Sequence, residues 1–199
     1  DEDRNLKTWE RQLLEYEYGL IDNTPLVLQE NSKDLSYADV DNLPITMNTS
    51  TLRKLKSKHN IDGKTIIDSA RLLKKTVLGI QSKSFDSSLV FLLDYKSDRG
   101  YLMTMILREN KKLGSYEVNE ITSIYDRKNF ESMFIQSVDD NKKVWLNPEK
   151  IKEITSQDLQ FVPDSLSLYT NNISGVVQNQ EEIKGLLLST LGKDDLAKR

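Results

Sequence analysis

Between residues 76 and 126 the chain carries four apolar segments separated by short polar turns, and this spacing restricts the fold more than any other feature. The segments are TVLGIQS (76–82), SSLVFLLDY (87–95), GYLMTMILRE (100–109) and SYEVNEITSIYD (115–126). Each is rich in β-branched and large apolar residues, as strands are. KSDRG forms a hairpin turn between the second and third, and KKLG turns the chain into the fourth. Links this short join antiparallel neighbours. The sequence therefore predicts an antiparallel sheet of about four strands.

Helical periodicity flanks this block. Leu6, Trp9, Leu13, Tyr16 and Leu20 recur at spacings of three and four, predicting an amphipathic helix that closes near Gly19. The stretch from Asn23 to Ile45 is broken by Pro25 and Pro44 and reads as an irregular connector. Thr49 or Ser50 can cap a helix from Thr51 to about His59, and a second helix spans about Lys64 to Lys75. Beyond the strands, Lys128 to Asp140 reads as helix and KKVWL as a short strand. NPEKIKEI then starts a helix with Asn147 as cap and Pro148 at its first position. A last helix is predicted from about Glu181. Segregated helices and antiparallel strands of this kind indicate an α+β fold. The N-terminal helices pack on the sheet, and further helices lie at the C-terminus. The organisation expected is a helical extension over 1–21, one domain over 22–175 and a tail over 176–199.

The 199 residues include no cysteine, which removes disulfides, thiolate nucleophiles and Cys-based zinc sites. One histidine leaves no pair for a zinc site, and no glycine-rich phosphate loop or nucleophile elbow is present. No cofactor and no metal are expected. No apolar run is long enough to span a membrane, and no signal peptide is visible. A chain opening on Asp1 reads as part of a larger polypeptide. With 37% apolar and 30% charged residues, much of the chain must be surface. The formal charge is −3, but residues 51–83 hold nine cations against Asp62 and Asp68. One basic segment thus sits among acidic surroundings and can attract phosphates locally. A solvated helix face explains the same charges.

Two constellations remain. In LRKLKSKHN (52–60), Leu52, Leu55 and His59 share a helix face, so the lone histidine ends the apolar stripe and does not point out with the lysines. The helix dipole there favours the protonated ring by about 0.3–1 kcal/mol, while Lys58 opposes it. His59 is thus either a catalytic base or a half-buried histidine bonded to a backbone carbonyl. In the strand centred on residue 121, alternation puts Asn119, Ser123 and Tyr125 on one face, with Arg127 and Lys128 just beyond. An amide, a hydroxyl, a phenol and two cations suit a phosphodiester; an ordinary exposed sheet face has the same pattern.

TPLVLQ (24–29), NLPITM (42–47), LRKLKSKHNI, SSLVFLLDY, the run from Leu102 to Asn129 and VWLNPEKI together resemble the C-terminal domain of phage MuF-type proteins. That domain also occurs in polyvalent phage proteins and phage-borne polymorphic toxins, and is grouped with the barnase/EndoU/RelE-like (BECR) nuclease fold. The likeness runs over about residues 22–175. Its most specific parts are the lysine-rich helix end at His59 and NEITSIY (119–125), and LYTNNIS (168–174) also fits. The resemblance implies a metal-independent ribonuclease acting as a toxin or effector, with RNA as substrate and a cognate immunity or antitoxin protein as partner. It would work in the cytoplasm of a bacterial target cell or be associated with the virion. His59, Asn119, Ser123 and Tyr125 match the catalytic positions, and Lys56, Lys58, Arg127 and Lys128 supply substrate-binding charge. Where such sequences carry a glycine after the tyrosine, this chain has Asp126. The alternative is a non-catalytic, nuclease-like binding module of the virion or of a host protein.

Overall fold

A computed structural model of the chain describes residues 2–85, 87–140 and 142–150. The expected helix from Glu181, the tail over 176–199 and the LYTNNIS stretch lie outside the described residues. The element order is α1 (Glu2–Glu17), β1 (Leu26–Gln29), β2 (Ile45–Met47), α2 (Thr49–Ser57), α3 (Gly63–Leu72), β3 (Thr76–Gln81), β4 (Ser88–Lys96), β5 (Leu102–Leu113), β6 (Tyr116–Asp126), α4 (Phe130–Asp139) and β7 (Val144–Leu146). Short 3-10 helices cover Lys33–Ala38 and Leu73–Lys75. At residue 148 a helix begins, with Glu149 N donating to Asn147 Oδ1 at 3.2 Å, which is the cap expected there.

The fold is α+β, but the sheet is larger than the four antiparallel strands predicted. Seven strands are ordered β1-β2-β6-β5-β4-β3-β7. The central meander β3 to β6 is antiparallel as expected. The sheet is nevertheless mixed, because β2 pairs parallel to β6 through Ile45↔Asn119, Thr46↔Glu120 and Met47↔Ile121. Of the two extra strands on this side, β1 comes from the stretch that reads as irregular connector and β2 begins at its last residue. They are four and three residues long, too short to show a period against the surrounding polar residues and prolines. Outside β1, the side chain of Gln12 serves as a partner strand. Its amide donates to Val27 O and its carbonyl accepts from Val27 N, each at 2.9 Å, which satisfies backbone groups that an edge strand otherwise exposes.

Helices α1, α2 and α3 face one side of the sheet. Trp9 is fully buried and its indole donates to Ile66 O at 3.1 Å. Leu52 and Leu55 of α2, Phe91 and Leu93 of β4, Met103 and Met105 of β5, and Ile121 and Ile124 of β6 belong to the same cluster. α1 is therefore seated in the common core. In place of Thr49 or Ser50, Asn48 precedes the first turn of α2, and its amide reaches Glu120 at 3.2 Å.

Two local departures from regularity set up the site. Between Ile106↔Ser123 and Leu107↔Ile121 the β5–β6 register shifts by one residue, so Thr122 is a bulge. Residues directly opposite each other share a face. Asn119 and Ile121 thus lie on the helix-covered face with Ile45 and Met47, whereas Ser123 and Tyr125 lie on the other with Ile106 and Thr104. The common face predicted for Asn119, Ser123 and Tyr125 is broken by this inserted residue, since one extra residue inverts every side chain beyond it. Secondly, β2 pairs only with Asn119–Ile121, after which the chain leaves the sheet into α2. Along the rest of β6, α2 takes over from β2, and Lys54 Nζ donates to Thr122 O at 2.8 Å.

Candidate active site

The end of α2 is held by its backbone. His59 N donates to Lys54 O at 3.2 Å and Ile61 N to Leu55 O at 3.0 Å. Asn60 between them takes a left-handed conformation, φ 50°, which asparagine tolerates better than most residues. Asp62 then caps α3 by accepting from Thr65 N at 2.6 Å and Thr65 Oγ1 at 3.0 Å. Between this corner, the β4–β5 turn and the end of β6 lies an open cleft of about 470 Å³.

Inside it the imidazole of His59 stacks on the ring of Tyr125, with centroids 5.8 Å apart and planes 22° from parallel. Both side chains are half-buried. Burial pushes the His59 pKa down, and the charges of Lys54 and Lys58 lower it further. Both effects disfavour the protonated ring and leave its nitrogen free to accept a proton. The hydroxyl of Tyr125 accepts a hydrogen bond from the Arg127 guanidinium, whose carbon is 5.1 Å from the ring centroid.

Opposite His59, Arg99 projects from the β4–β5 turn. It grips Asp126 with two hydrogen bonds, from Nε at 2.9 Å and from Nη2, and Ser97 Oγ donates to the same carboxylate at 2.6 Å. The Asp126 side chain is only 8% exposed while that of Arg99 is 70% exposed. Burial pushes the Asp126 carboxyl up, but the hydrogen bonds from Arg99 and Ser97 and the charge of Arg99 prevail and hold it below its ordinary value. Asp126 therefore presents a neutralised carboxylate, and the outer edge of Arg99 faces solvent.

The expected site residues divide into three groups. His59, Tyr125 and Lys58 line the cleft. Arg127 joins through the Tyr125 hydroxyl, and Lys128 lies in an adjoining pocket. Asn119, Ser123 and Lys56 are elsewhere. Asn119 is fully buried, donating to Ser32 Oγ and Asp41 O at 2.9 Å each and accepting from Asn110 N at 3.2 Å. Ser123 is 6% exposed on the opposite sheet face. Lys56 turns toward α1, pairing with Glu17 at 3.0 Å. The basic segment is thus dispersed, with Arg71 on Asp68 and Lys83 on Asp140. Sequence reasoning overlooked Arg99 and Ser97 because KSDRG signals only a turn. Asp126 stood out as a departure, without its partners.

Among the described residues, no three acidic or histidine side chains converge to hold a metal. None of the helices there is long and apolar enough to cross a membrane. In comparison with known proteins, the family described as phage MuF-C-terminal domain matches residues 50–153, just over half of the chain. Neither the curated proteins nor the solved structures contain a match.

Proposed function

The chain belongs to the phage MuF C-terminal domain family, and from that premise we propose that it is an RNA-cleaving effector domain built on a barnase/EndoU/RelE-like nuclease fold. The observation that carries this reading is the imidazole of His59 stacked on Tyr125 in an open cleft between two exposed cations, Arg99 and Lys58. A histidine whose pKa is held below its ordinary value by burial and neighbouring cations favours the free-base form that general base work needs.

In the proposed reaction His59 takes the proton of a ribose 2′-hydroxyl, whose oxygen attacks the adjacent phosphorus. The bond from phosphorus to the 5′-oxygen breaks, and the Tyr125 phenol protonates that leaving oxygen. A 2′,3′-cyclic phosphate and a 5′-hydroxyl result. Arg127, already donating to the Tyr125 hydroxyl, stabilises the phenolate left behind. Arg99 and Lys58 offset the charge that develops on the phosphoryl oxygens. Asn119 and Ser123 act by holding β6 in place, and Lys56 by joining α2 to α1. Such a domain acts in the cytoplasm of a bacterial target cell, and the cell that makes it needs an immunity protein.

Incubation with total RNA in EDTA tests the reading. Wild-type protein is expected to leave cyclic phosphate ends, and folded His59→Ala none. Cleavage by His59→Ala at the wild-type rate would falsify the mechanism. A second reading, a non-catalytic binding module, is favoured by the Asp126 carboxylate beside Tyr125, a group most phosphate sites avoid. RNA that binds the cleft yet stays intact at every dose supports that reading instead.

A further inference from the structure

The β4–β5 turn is a ridge between two pockets. Beyond it from the cleft lies a second pocket of about 390 Å³, whose walls include Lys96, Tyr101, Arg127 and Lys128. Three carboxylates, Asp62, Asp98 and Asp126, line the cleft, whereas among the described residues none lines the second pocket. An anion is therefore better accommodated there than in the cleft itself.

Two arginines connect the pockets. Arg127 donates to the Tyr125 hydroxyl on the cleft side and also lines the second pocket, where it and Lys128 make the wall cationic. Arg99, bound to Asp126 in the cleft, also lies over the Tyr101 ring, its guanidinium carbon 5.9 Å from the centroid. An aromatic face beside cations is the usual platform for an unpaired base, and stacking there is tolerant of sequence.

We infer that the second pocket binds the phosphate next to the scissile one, so that the site takes a single-stranded oligonucleotide bent over the β4–β5 turn. This rests on the nucleic-acid reading above and adds where the strand continues. A duplex is too stiff to follow a ridge one turn wide.

Oligodeoxynucleotides test this apart from catalysis, because without a 2′-hydroxyl they cannot be cut by the proposed route. In fluorescence anisotropy at low salt, a trinucleotide is expected to bind wild-type protein about tenfold tighter than a mononucleotide. Lys128→Glu, at an exposed position, is expected to erase most of that advantage and to lower the salt slope by about 0.7 per lost phosphate contact. Equal affinity for the two lengths overturns the inference. So does an advantage that survives both Lys128→Glu and Tyr101→Ala. A length advantage in a protein that never cuts RNA sustains the second pocket and sinks the nuclease. RNA cleavage without a length advantage does the reverse.

Discussion

The ring of His59 lies face to face with that of Tyr125, 5.8 Å between centroids, although 66 positions separate them in the chain. The contact exists because α2 replaces β2 alongside β6 after Ile121, which carries the residues that follow the helix to the end of that strand. The two rings are thereby presented together at one end of the sheet.

Removing either ring is expected to stop the proposed reaction without unfolding the protein, since both are half-buried. His59→Ala should lower kcat by about 10²–10⁴, the usual contribution of a positioned acid or base. Tyr125→Phe keeps the stack and loses only the proton, so a fall of about 10² is expected with KM little changed. Single-turnover cleavage of a labelled RNA, with circular dichroism to confirm folding, measures both. A Tyr125→Phe protein that cleaves with full kcat removes the phenol from the acid role.

Acidity provides a second handle, because the chain has one histidine and its resonance cannot be confused with another. NMR titration is expected to place the His59 pKa below its ordinary value of 6.5, and the acid limb of kcat/KM below that value too. Lys58→Met removes one of the two cations that depress it, and both quantities should then rise. Stability follows the same sign. The unfolded chain binds this proton more readily, so the contribution is complete above about pH 6.5 and declines as pH falls toward the folded value. A titration midpoint above 6.5 contradicts the electrostatic account of the site.

The Arg99–Asp126 pair makes a prediction in two directions. Arg99→Ala leaves a carboxylate exposed to the incoming phosphate, and RNA affinity is expected to fall about tenfold at low salt. Asp126→Asn frees the guanidinium, and affinity is expected to rise by several-fold. Binding of uncleavable oligonucleotide to each variant decides the matter; matching losses in both would mean that the pair is needed intact.

Asn119 is expected to respond as a structural residue. Asn119→Ala removes a fully buried amide and strands its three partners. Each unsatisfied buried group costs about 1–3 kcal/mol, so a loss of about 3 kcal/mol is expected by urea unfolding. Under conditions where the variant remains folded, its cleavage rate should be near wild type. A large loss of rate without a loss of stability would return Asn119 to the phosphate.

Gln12→Ala uncovers Val27 on the sheet edge. A loss of about 1 kcal/mol is expected, with concentration-dependent self-association detectable by sedimentation.

Features that repeat over many residues were legible in the amino-acid order alone. The antiparallel meander β3 to β6, helices α1 to α4 and the α+β class could be read because periods of 2 and 3.6 persist long enough to be counted. His59, expected to end α2 on the face of Leu52 and Leu55, lies just past it, because that helix stops at Ser57. The folded arrangement supplied the rest. Strands of three and four residues have no period of their own, and β1 and β2 exist only because β6 and Gln12 supply partners for their backbone. The bulge at Thr122 is one residue that costs nothing in pattern yet moves Ser123 and Tyr125 off the face of Asn119. Arg99 reached Asp126 only because a hairpin brought its tip to the end of β6. Pairings between distant residues depend on where the backbone is carried, and no spacing along the chain encodes that.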